Sequence, residues 1–125
     1  MATRLRDTVA FRGDRLFDGA VNVDWFLDDP GRAAKAAQAF VFHGPKYHGV
    51  TQADVGTAHG HRLEDTAAFA RGVVRACCGL QDDPFSLAIA GYGTGKSHLA
   101  LALAMLLSDP TGPAAEGVLA SLDAA

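Results

Sequence analysis

The sequence is poor in cysteine. Its two thiols, Cys77 and Cys78, are adjacent in a chain of 125 residues. Two neighbouring cysteines do not make a disulfide framework, so a buried core has to hold the fold. An excess of basic charge is missing too: Lys and Arg number 11 against 14 Asp and Glu, a formal net charge of −3. That excludes a global positive field that would draw the chain to nucleic acid or a membrane surface, and leaves only a local basic patch open. The longest apolar run, residues 99–107, falls far short of the roughly 20 residues that cross a bilayer. The opening MATRLR has no apolar signal-peptide core, and residues 9–17 are broken by Arg12, Gly13, Asp14 and Arg15. These absences describe a cytoplasmic protein with no membrane partner. The length suits one modest domain.

What the chain does have is residues 85–107, FSLAIAGYGTGKSHLALALAMLL. A short apolar stretch meets a glycine-rich turn closed by Lys96 and Ser97, and an apolar helical stretch follows. That is the layout of a phosphate-binding P-loop, with a strand over 85–90, the loop over 90–97 and a helix over 96–107. Backbone N–H groups of Gly91, Gly93, Thr94 and Gly95 would point at an anion, Lys96 would reach the terminal phosphates, and the Ser97 hydroxyl would ligate Mg²⁺. Ala90, Tyr92 and His98 complete the candidate site, with the His98 side chain expected to face outward. Ala90 stands where the strict pattern has glycine, and a small residue still permits the turn. A dinucleotide-binding reading fails, because Lys96 occupies the place of the third glycine. The expected fold is α/β, a three-layer α/β/α P-loop arrangement, incomplete and preceded by a helical segment.

Taken in order, 9–11 and 20–23 read as short strands around the turn signal Asp18-Gly19. Trp25, Phe26 and Leu27 form an apolar knot for the core. Asp29-Pro30 announces a helix with Ala33, Ala36, Ala37, Phe40 and Val41 on one stripe, stopped by Gly44-Pro45. Residues 43–61 are a loop rich in Gly and His, ending an N-terminal segment (1–61) ahead of the P-loop unit (62–125). A second amphipathic helix covers about 62–78. Leu63, Ala67, Ala70, Val74 and Cys77 lie inside it, Glu64, Arg71 and Arg75 outside, and Gly79 closes it. Cys77 and Cys78 read as small core residues. After the P-loop unit, residues 109–113 break the chain, and the Ala-rich tail either forms a short helix or frays.

The stretch GTGKSHLALALA resembles the P-loop and first helix of AAA+-type ATPases, including bacterial helicase-loader and transposition-helper ATPases. FVFHGPKYHGV, HRLEDTAAFARGVVRACCGL and FSLAIAGYGTGKSHLA are together similar to the start of the large ATPases of phage-defence operons of the phage-growth-limitation type. The resemblance implies binding of ATP with Mg²⁺ at 91–97, and makes Lys46, Tyr47 and His48 ahead of the loop candidates for base or phosphate contacts, a plain solvated loop being the other reading. It also implies a downstream acidic strand end. No apolar strand ending in Asp or Glu follows Ser108, so the chain reads as the N-terminal part of a larger ATPase or as a truncated copy. In the other reading it is an inactive nucleotide-binding or interaction module. His43, His48, His59 and His61 lack the Cys partners and paired spacing of a zinc site. The helix over 96–107 is apolar nearly all round, more than one sheet face covers. Self-association, or cover from a parent chain or partner subunits, is therefore expected, with nucleic acid left open as a further partner.

Overall fold

The structure, a computed structural model, describes residues 9, 20–44, 64–81, 87–89 and 95–125. Among these residues there are five helices: α1 (Trp25–Asp28), α2 (Pro30–Ala39), α3 (Thr66–Cys77), α4 (Lys96–Ser108) and α5 (Pro113–Asp123). They contain no strand and no sheet, so the expected three-layer α/β/α P-loop arrangement is corrected to helix packed on helix. Leu87, Ala88 and Ile89, inside the expected strand 85–90, belong to no regular element, and Leu87 and Ile89 are 69% and 70% exposed. Residues 20–23 are not a strand either. Of 9–11, only Val9 is among the described residues. Apolar composition makes a strand only where another extended segment takes up its N–H and C=O groups, and here Ser121, Thr66 and the Ala67 N–H take up those of a buried extended stretch.

That stretch follows α2. The helix begins as its sequence dictates, with Pro30 in the first turn and the Asp29 carboxylate accepting from the Arg32 N–H at 3.0 Å. It stops at Ala39, ahead of Gly44-Pro45, because Phe40 turns extended (φ −68°, ψ 130°). Side chains then alternate. Phe40 and Phe42 are buried with their rings edge to face at 4.8 Å, while Val41, expected on the buried stripe, is 58% exposed. Ser121 Oγ donates to the Phe40 carbonyl at 2.9 Å and accepts from the Phe42 N–H at 3.3 Å. The His43 N–H donates to Thr66 Oγ1 at 2.8 Å, and the His43 carbonyl accepts from the Ala67 N–H at 3.2 Å. Two helix surfaces thus supply what a neighbouring strand would.

Helix α3 starts at Thr66 rather than near 62 because Asp65 is a complete N-cap, its carboxylate accepting from the Ala68 N–H at 2.7 Å. It ends in a left-handed glycine. Gly79 has φ +69°, its N–H reaches the Ala76 carbonyl, and the Leu80 N–H reaches Arg75 at 2.9 Å, the two bonds of a Schellman motif. Ala67 and Ala70 are buried against the core, but Cys77 and Cys78 are exposed and free rather than core residues. They lie in the last turn and cap, beyond the surface that packs. Asp65→Ala is expected to cost about 1 kcal/mol, read as a lower urea midpoint at unchanged slope.

Helix α4 is the centre. Leu101, Ala102, Leu103 and Leu106 are buried, Leu99 and Met105 pack partly buried beside them, and Leu107 is 38% exposed. Leu101 lies with Ala33 and Ala36 of α2, and Trp25 and Phe26 of α1 join the same cluster, with Arg32 over the Trp25 ring at 4.0 Å. On another side α5 contributes Ala115, Val118 and Leu122, and α3 contributes Ala67 and Ala70. The Ala-rich tail is thus a helix, led by Pro113, and it supplies the cover expected from a partner. Ala33, Ala36, Ala37, Ala67, Ala70, Ala102, Ala114 and Ala115 are all buried. Small side chains at these contacts let the helices approach closely.

Candidate functional site

Of the candidate site, the structure brings Gly95, Lys96 and Ser97 together at the N-terminus of α4. Ala90, Gly91, Tyr92, Gly93 and Thr94 lie outside the described residues, as do Lys46, Tyr47, His48, His59 and His61. Gly95 is the N-cap at φ +82°, ψ 15°. A side chain in that left-handed conformation costs roughly 1–2 kcal/mol, so glycine suits the position on backbone grounds even though the space around it is open. No side chain caps the helix and its first turn holds no acidic residue. Within its own first turn, the positive end of this 13-residue helix thus carries no carboxylate to offset it. Lys96 and Ser97 occupy the first two helical positions and are exposed.

His98 is placed differently from expectation. It is half-buried, not turned outward, with Nε2 2.6 Å from the Ala36 carbonyl oxygen and its ring edge-on to Phe40 at 5.0 Å. The reason is helical spacing: His98 sits one turn ahead of Leu101 and Ala102, on the face that packs against α2. A carbonyl oxygen only accepts, so Nε2 carries the proton. In a continuing helix the Phe40 N–H would serve Ala36, but it goes to Ala37 at 3.1 Å instead. His98 therefore closes the C-terminal end of α2 from a neighbouring helix. The interval from His98 to Leu101 was the available signal for this contact.

His43 is tied through its backbone to the start of α3, and no group of three His, Cys, Asp or Glu side chains among the described residues could hold a metal. A nucleotide-borne Mg²⁺ needs no such group, since it is commonly held by one or two protein oxygens, phosphates and waters. Exposed Ser97 beside exposed Lys96, on a helix whose first turn holds no acidic residue, fits a Mg²⁺-bound polyphosphate. No protein family, curated protein or solved structure matches the chain. Among the described residues no helix is long and apolar enough to cross a membrane.

Proposed function

We propose that the chain binds a nucleoside triphosphate, ATP with Mg²⁺, at the 91–97 loop and the N-terminus of α4. The observation that carries this is the helix start itself: left-handed Gly95, no side-chain cap, and Lys96 and Ser97 exposed on the first turn. The first amides of α4 would donate to phosphate oxygens, Lys96 would neutralise the terminal phosphates, and Ser97 would give Mg²⁺ one ligand. This chemistry resides in one loop and one helix end, so it does not depend on a sheet. The likeness of residues 93–104 to AAA+-type ATPases supports ATP over other anions and a role in remodelling DNA or protein, and the likeness of residues 40–50, 61–80 and 85–100 to phage-defence ATPases supports a place in phage defence.

Binding without turnover is the form favoured here. Hydrolysis needs a second group to place the attacking water and complete the metal shell, and the first turn of α4 carries no acidic residue to provide it. Calorimetric titration tests the binding: Mg·ATP is expected to bind and Mg·AMP not, because the affinity lies in the β- and γ-phosphates. Equal heats for both would refute a phosphate site. In a coupled assay the purified chain is expected to hydrolyse ATP far below the ordinary enzyme range of about 1 s⁻¹ and upward.

A further inference from the structure

We infer that His98 is a positioning residue that ties the nucleotide-binding turn of α4 to the C-terminal end of α2, coupling ligand binding to the packing of residues 36–42. The inference rests on the ATP-binding reading above. Lys96, Ser97 and His98 share one turn, and His98, half-buried where the other two are exposed, reaches the Ala36 carbonyl at 2.6 Å and the Phe40 ring at 5.0 Å. Ala36 is fully buried, so water cannot readily replace this hydrogen bond. The contact also sets the positive start of α4 beside the negative end of α2, and a proton donor lies between them.

Beyond Phe40 the connection continues through hydrogen bonds. The Phe40 carbonyl and Phe42 N–H are both held by Ser121 of α5, and the His43 N–H is held by Thr66 of α3. A shift in the first turn of α4 thus meets a segment fastened to two other helices. An anion on that turn orders it, and the free-energy coupling is reciprocal: what loosens the end of α2 must weaken the ligand.

Two substitutions separate this role from simple packing. His98→Phe keeps a ring against Phe40 and removes the donor. His98→Gln keeps a nitrogen donor close to where Nε2 lies. Each full-length variant is titrated with a fluorescent Mg·ATP analogue, well below its own melting temperature. His98→Phe is expected to bind roughly tenfold more weakly, the scale of one lost hydrogen bond, and His98→Gln to recover most of that loss. Amide hydrogen exchange without nucleotide provides a second readout. In His98→Phe, exchange is expected to quicken at 99–101 and 40–43 while α5 beyond Ser121 is unchanged. Wild-type affinity in folded His98→Phe, or unchanged exchange at both segments, overturns the inference. If the wild-type chain takes up no analogue, the ATP-binding reading fails and with it the coupling to ligand. The exchange data then decide by themselves whether His98 holds the turn.

Discussion

Lys96→Ala is expected to weaken binding of a Mg·ATP analogue by about 10- to 100-fold, the loss of a charge-assisted hydrogen bond to phosphate. The α4 helix should survive the change. Lys96 is exposed at the first position of α4, and alanine is a good helix former there. His48→Ala and His61→Ala are expected to weaken binding far less, and added zinc to leave the titration unchanged. Equal losses in all three variants would put the site somewhere other than the start of α4. Because Lys96 and His98 sit two residues apart with opposite roles, the comparison is informative: one substitution alters affinity alone, the other affinity and local order.

Leu101→Ala is expected to destabilise the chain by roughly 3–5 kcal/mol, against less than about 1 kcal/mol for Leu107→Ala. Leu101 is 1% exposed, packed with Ala33 and Ala36, whereas Leu107 is 38% exposed at the end of the same helix. Its two fully buried neighbours, Ala33 and Ala36, are short side chains on the α2 backbone and cannot extend to fill a cavity. A domain of this size has roughly 5–15 kcal/mol in total, so the Leu101 variant should show a partly unfolded population in mild urea. Denaturation midpoints of the two variants provide the measurement. Similar midpoints would mean that the helices around α4 are arranged differently.

Why Leu101 and Leu107 cannot be told apart in the sequence is physical. A helix apolar on nearly every side has no polar face to mark its orientation, and only its neighbours decide which leucines are covered. Expecting a sheet beneath α4, one leaves two or three leucines bare and predicts self-association. With α2, α5, α1 and α3 around it, α4 keeps Leu107 exposed at its end and Leu99 partly buried at its start, and its other leucines are buried. The tail had no apolar stripe strong enough to announce α5 as a core element. Alanine buries little area by itself and contributes by letting Val118 and Leu122 reach α4 and Phe42.

Other features were legible because they are local. Asp29-Pro30 and Gly79 each act within a few residues, as the Arg32 N–H bond and the Schellman motif show. The start of α4 at Lys96 belongs with them, since Gly-Lys-Ser ahead of an apolar run sets it without help from distant chain. Val41, Cys77 and His98 were misplaced for one shared reason. Each lies within a turn of a helix end, where extending a periodic stripe by a few residues turns the side chain toward a different neighbour. Sequence alone determined three of the described helices, α2, α3 and α4, together with the phosphate-loop pattern at the start of α4. Tertiary structure decided the rest. Among the described residues no extended partner takes up the backbone groups of Leu87–Ile89 and they form no strand, the alanine faces close on one another instead, and the Ala36 carbonyl, left without its helical partner, draws His98 inward.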